Sequence, residues 1–141
     1  ASDHAGYALK ADLVDHLALL GYEAVDLGTD SEESTDYPEW AHRLAEAVEA
    51  GRASRGVLVC GSGTGMSIAA NRHPGVRAAN CLDAEMAALA REHNDANVLC
   101  LGSRVLSRSD AKKILWTFLE TGFGGGRHER RRDKIEIGGR R

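Results

Sequence analysis

Extended and helical segments alternate along this chain, with short connections between them, and that pattern predicts a doubly wound parallel α/β sheet. The expected architecture is Rossmann-like, with helices on both faces of the sheet in three αβα layers. Three observations carry the expectation. A short apolar run, Gly56, Val57, Leu58, Val59 and Cys60, passes directly into Gly61, Ser62, Gly63, Thr64 and Gly65 and then into a helix-like stretch ending at Asn71. Two further extended runs, residues 76–82 and 97–101, follow. Each is separated from the last by a helical pattern, and the chain has no internal repeat or low-complexity tract.

In chain order, Leu9, Leu13, Leu17 and Leu20 recur at helical spacing, and Gly21 then stops that helix. Residues 23–27 read as a short strand ending at Gly28, followed by a polar loop over 29–37. Pro38 suits the first position of a second helix, whose apolar face is Trp40, Leu44, Ala45 and Val48. The central strand, glycine loop and short helix come next. Asp83 can cap a helix over 84–92. Ser107 with Asp110 forms a capping pattern for a helix carrying Ile114, Leu115, Phe118 and Leu119, closed by Gly122. Gly124, Gly125 and Gly126 read as a hinge into a basic tail. Only Ala1 and Ser2 precede Asp3 and His4, whereas a domain of this class enters its first helix from a strand. Either a first strand is missing or truncated in this chain or the domain starts unusually, and the absence of an initiator Met favours the first explanation.

The 141 residues suit one domain spanning 1–141, with a core of ordinary size, and the 43% hydrophobic and 28% charged residues are those of a soluble protein. No apolar run approaches the roughly 20 residues of a membrane span, and no signal-peptide pattern opens the chain. Cys60, Cys81 and Cys100 form no CxxC pair, which reads as reduced thiols in the cytoplasm, not a disulfide framework or a zinc site. The net charge of −3 is uneven. Residues 127–141 hold seven Lys or Arg against three Asp or Glu, so the rest of the chain is the more acidic. That tail could hold an anionic substrate, but it lacks the aromatics of a base-stacking surface, so a nucleic-acid partner is not expected.

The glycine loop sets a thiol, a hydroxyl and unhindered backbone N–H groups at the mouth of a helix, where negative charge is stabilised. Spacing removes the familiar anion loops. A Walker A loop needs Lys and then Ser or Thr after its last glycine, yet Met66 and Ser67 follow Gly65. The dinucleotide fingerprint, counted from Gly61 and Gly63, would want glycine where Met66 stands, and a phosphatase loop would want arginine there. An anion site of another kind remains, beside the bland reading of a tight strand-to-helix turn. If the sheet is laid out as expected, four groups should converge: Asp3 with His4, Cys60 with its loop, His93 with Asn94 and Asp95, and the arginines of 127–132.

Six segments, in consistent order over nearly the whole chain, resemble the type B ribose-5-phosphate isomerases. They are residues 2–6 (SDHAG), 35–38 (TDYP), 60–71 (CGSGTGMSIAAN), 91–98 (REHNDANV), 101–104 (LGSR) and 126–128 (GRH). The resemblance implies a metal-free and cofactor-free aldose–ketose isomerase interconverting D-ribose 5-phosphate and D-ribulose 5-phosphate through an enediolate. It implies Cys60 as the base, His93 as the acid–base group of ring opening, and Gly61, Ser62, Gly63, Thr64 and Gly65 as the loop that holds the enediolate. It further implies substrate contacts at Asp3, His4, Tyr37, Asn94 and Arg104, and phosphate contacts at Arg127 and Arg131. It implies a homodimer or tetramer whose sites are completed by a neighbouring subunit.

The residues suit that chemistry on their own terms. Moving a proton next to a carbonyl needs a base and donors aimed at the developing oxyanion, and Ser62 adds a hydroxyl to the backbone N–H groups. No His, Cys, Asp or Glu cluster has metal-ligand spacing. The bland readings are a buried small hydrophobe for Cys60, a solvated helix-end histidine for His93 and a helix cap for Asp3. Cys81, Cys100, Met86 and Trp116 read as core, Arg130 and Arg132 as solvated, and His16, His42 and His73 as surface. The alternatives are an isomerase for a hexose 6-phosphate such as allose or galactose 6-phosphate, and a non-catalytic phospho-sugar-binding module.

Overall fold

The computed structural model describes residues 1–138, so Arg140 and Arg141 of the basic tail lie outside the described residues. The elements run α1 (Tyr7–Leu19), α2 (Tyr37–Glu49), β1 (Gly56–Cys60), α3 (Thr64–Ala70), β2 (Ala78–Asn80), α4 (Ala84–Asn94), β3 (Val98–Gly102), α5 (Arg108–Glu120) and α6 (Arg127–Arg132). The strands form a parallel sheet of order β1-β3-β2, with Gly56 opposite Val98, Cys60 opposite Gly102 and Asn80 opposite Cys100.

Side chains alternate across a strand, and here the alternation sorts two cores. Leu58, Cys60, Val98 and Cys100 face Ala41, Leu44, Ala45, Met66, Ala69 and Ala70 of α2 and α3. Val59, Leu99 and Leu101 face Leu9, Leu13, Ala87, Ala90, Ile114, Leu115 and Phe118 of α1, α4 and α5. A parallel sheet covered on both faces is the expected three-layer αβα arrangement. Its strands read as continuous apolar runs for that reason.

The caps follow the sequence. Asp83 accepts the Met86 N–H at 2.8 Å and Ser107 accepts the Asp110 N–H at 3.1 Å. Pro38 stands in the first turn of α2, and Gly21, at φ +84°, ends α1. The expected strand over 23–27 does not form. A strand needs a neighbour, and on this side of the sheet a single residue, Ser2, bridges to Val59. Among the described residues, Ser2 exchanges backbone bonds with Gly28 and Thr29 alone, so residues 23–27 run past the sheet edge without a ladder. The strand expected over 76–82 is shorter, Ala78–Asn80, because the Val76 N–H turns back to the His73 carbonyl and the Arg77 N–H goes to the Asn97 side chain.

Two residues expected in the core are outside it. Trp116 is 44% exposed and Met86 41%, each on the outer face of an amphipathic helix whose inner face is already filled. Cys81 and Cys100 are buried as expected. His42 and His73 are half-buried partners rather than free surface groups, with Nδ1 of His42 2.8 Å from Nε2 of His73.

Candidate active site

Strand β1 delivers Cys60 to the carboxyl end of the sheet, where loops of an α/β fold gather ligands. The next turn is tied to the strand beside it. Ser103 N–H donates to the Cys60 carbonyl at 2.8 Å and Arg104 N–H to the Gly61 carbonyl at 3.0 Å. Gly63 adopts φ +80°, a conformation that costs glycine little, and so turns its N–H back onto the Cys60 sulfur at 3.1 Å. Gly65 allows close approach: a Cβ there would sit 2.6 Å from the Tyr37 ring. The Arg104 guanidinium packs over Gly61, while Ser62 and Thr64 stand exposed at the rim.

Asp3 and His4 reach the same end. Asp3 N–H donates to the Val59 carbonyl at 3.2 Å, one residue before Cys60. The buried Asp3 carboxylate accepts the Gly6 N–H at 3.0 Å, so it closes the turn ahead of α1 instead of capping the helix itself. The His4 Nδ1 lies 3.1 Å from the Thr35 nitrogen and 3.2 Å from the Thr35 oxygen. Whichever ring nitrogen carries the proton, Thr35 holds the imidazole. One end of the sheet thus gathers Asp3, His4, Tyr37, Cys60, Gly61, Ser62, Gly63, Thr64, Gly65 and Arg104.

The expected convergence of four groups fails within one chain. After a parallel strand the helix runs back, so α4 starts beside the loop and ends at the opposite edge of the sheet, where β3 begins. His93 and Asn94 close α4 and are therefore separated from Cys60 by the length of β3, about 13 Å of strand. The arginines of α6 lie at that far end too, since Gly124 N–H donates to the Glu92 carbonyl at 2.9 Å. His93 stacks on His128 with ring centroids 4.3 Å apart and planes within 12°. Lost hydration and the charges of His93, Arg127 and Arg131 hold His128 below the ordinary histidine value. Arg127 and Arg131 are exposed, one helical turn apart. A groove of about 920 Å³ opens at this end, lined by Arg77, Asn94, Arg132 and Glu136 among others, and it does not include Cys60.

Arg132, expected to be solvated, is a strut. It donates to Asp95 at 2.9 Å and to Asp133, and lies over the Phe123 ring. Residues that the sequence reading passed over complete the picture: Thr35 under His4, Ser103 beside Cys60, and Asn80, whose amide bonds the glycine loop. The one signal for Asn80 was an amide inside the strand run expected over 76–82, a placement β-strands disfavour.

The chain matches the Ribose/Galactose Isomerase family over residues 1–135. It belongs to that family. Ribose-5-phosphate isomerase B of Escherichia coli is 47% identical over 133 residues, covering 94% of this chain and 89% of that protein. Probable ribose-5-phosphate isomerase B of Mycoplasma pneumoniae is 45% identical, covering 96% and 90%. Among solved structures, ribose-5-phosphate isomerase B of Clostridium thermocellum superposes with a TM-score of 0.94 at 51% identity, covering 95% and 90%. That of Mycoplasma genitalium, with bound ribulose-5-phosphate, gives 0.91 at 44%, again covering 95% and 90%.

For a member of the ribose/galactose isomerases, the three thiols divide clearly. Burial and then Asp83 push the Cys81 thiol up to about 11. Complete burial, followed by Cys60 and Cys81, pushes Cys100 up further still. Both stay protonated at neutral pH. Cys60 differs in having a backbone N–H aimed at its sulfur at the open end of the sheet. Among the described residues, no three His, Cys, Asp or Glu side chains group so as to hold a metal ion, and no helix is long and apolar enough to cross a membrane.

Proposed function

We propose that this isomerase interconverts D-ribose 5-phosphate and D-ribulose 5-phosphate, with Cys60 as the base. The observation that carries the reading is the Gly63 N–H on the Cys60 sulfur, beside a loop of exposed donors, in a chain like proteins named for that activity. In the open-chain aldose, the Cys60 thiolate removes the proton on C2. The electron pair moves onto C1–O1 as an enediolate, held by the remaining N–H groups of the 61–65 loop and the Ser62 hydroxyl. Cys60 returns the proton to C1 while the O2 proton passes to O1, and the ketose results. Asp3, His4, Tyr37 and Arg104 orient the sugar.

The strand-length separation of His93 from Cys60 supports a site shared between two copies. A second copy supplies His93 for ring opening, Asn94 for a sugar hydroxyl, and Arg127 with Arg131 for the phosphate. Exposed apolar side chains on the helices flanking edge strand β2, Ile68 on α3 with Met86 and Leu89 on α4, give such a pairing an apolar surface to cover.

Turnover of ribose 5-phosphate, with allose 6-phosphate assayed beside it, tests the reading. Cys60→Ala should lower kcat by about 10²–10⁴-fold, the usual worth of a positioned base. Unchanged turnover in that variant refutes the base assignment. A preference for allose 6-phosphate in the unaltered protein reassigns the substrate.

A further inference from the structure

Asn80 closes edge strand β2 opposite Cys100, and its side chain reaches across to the glycine loop. The carboxamide nitrogen donates to the Ser62 carbonyl at 3.2 Å and to the Thr64 hydroxyl oxygen at 3.3 Å. The amide orientation is chemically determined, because a carbonyl oxygen only accepts and the atom facing it must be the nitrogen. The carboxamide oxygen then packs beneath Gly63, buried and with no hydrogen-bond partner among the described residues. A Cβ at Gly63 would collide with it. Asn80 therefore grips the residues on both sides of Gly63 and fills the space below it.

We propose that Asn80 is a positioning residue of the isomerase site. By bonding Ser62 and Thr64 at once, it holds the loop in the conformation in which Gly63 N–H donates to the Cys60 sulfur. The same bond leaves the Thr64 hydroxyl proton free. With its oxygen already accepting from Asn80, that hydroxyl has a donor to offer toward the open side of the loop, where the proposed enediolate develops. The inference rests on the reading of Cys60 as the base only for its effect on turnover; the effect on the thiol itself does not depend on it.

Two variants separate the possibilities. Asn80→Asp keeps the shape and removes the donor, and Asn80→Leu keeps the branching without either polar atom, so a folding failure of the charged variant leaves the comparison intact. For each, kcat and KM for ribose 5-phosphate are measured together with the rate at which iodoacetamide alkylates Cys60, followed on the Cys60 peptide by mass spectrometry. The expected result is a fall in kcat of about tenfold, KM within about threefold, and a parallel several-fold fall in Cys60 alkylation at neutral pH, since thiolate is the reactive form. Alkylation within twofold of the unaltered protein overturns the proposal, whether or not kcat falls, because a purely structural role would leave the thiol as it was. Slower alkylation with unaltered turnover supports the positioning of the thiol and refutes Cys60 as the base.

Discussion

At Gly63 two demands meet on one residue, and neither can be met by a side chain. Its φ of +80° costs an alanine about 1–2 kcal/mol, and the space where a Cβ would go is taken by the Asn80 oxygen. Gly63→Ala should therefore lose about 1–3 kcal/mol in urea unfolding, as residues forced into this region do, and about tenfold or more in kcat. A variant with unchanged kcat would mean that the N–H on the Cys60 sulfur does no catalytic work. The need for glycine in this loop was legible in the sequence, because strand, loop and helix follow one another without a gap. Which glycine turns back onto the thiol was not. That depends on Asn80, which sits 17 positions beyond Gly63 in the chain.

The last turn of α4, the entry to β2 and the short α6 are bound together by one carboxylate. Asp95 receives Arg91 at 3.0 Å, Arg132 at 2.9 Å and Arg77 at 3.3 Å. Its partial burial alone would raise its pKa, but the bonds from Arg132 and Arg91 and the charge of Arg77 outweigh that and hold it below the ordinary carboxylate range. A depressed value means that the charged form stabilises the fold. The contribution is complete above the unfolded pKa of about 4 and is lost as pH falls through the folded value. Asp95→Asn should accordingly be less stable than the unaltered protein by about 1–3 kcal/mol at pH 7, with the gap closing toward pH 2–3. Chemical denaturation at the two pH values measures this, and a gap that stays constant would exclude the charge as its source. The helix ends and caps could be read from local residue patterns because their causes are local. The strand expected over 23–27 could not be judged locally, since its existence depends on a neighbour that only Ser2 partly supplies.

In the proposed shared site, each end of the molecule's sheet supplies one half, Cys60 at one end and His93 with Arg127 at the other. Sharing between two copies makes a quantitative forecast. Cys60→Ala and His93→Ala should each be nearly inactive alone. Equal amounts unfolded and refolded together should recover about a quarter of the unaltered activity, because half the pairs are mixed and each mixed pair has one intact site of two in a two-fold dimer. No recovery in a mixture shown to contain mixed pairs would place both residues in the same chain's site. By itself, the order of residues determined the alternation of strands and helices, the thiol-bearing glycine loop and the residue types that the chemistry requires, since each rests on contacts within a few positions. Only the tertiary structure decided that Cys60, Asp3, His4, Tyr37 and Arg104 meet while His93 and Arg127 do not. In a parallel sheet the end of a strand and the end of the returning helix lie on opposite edges, so neighbours in the proposed chemistry are separated by the length of a strand.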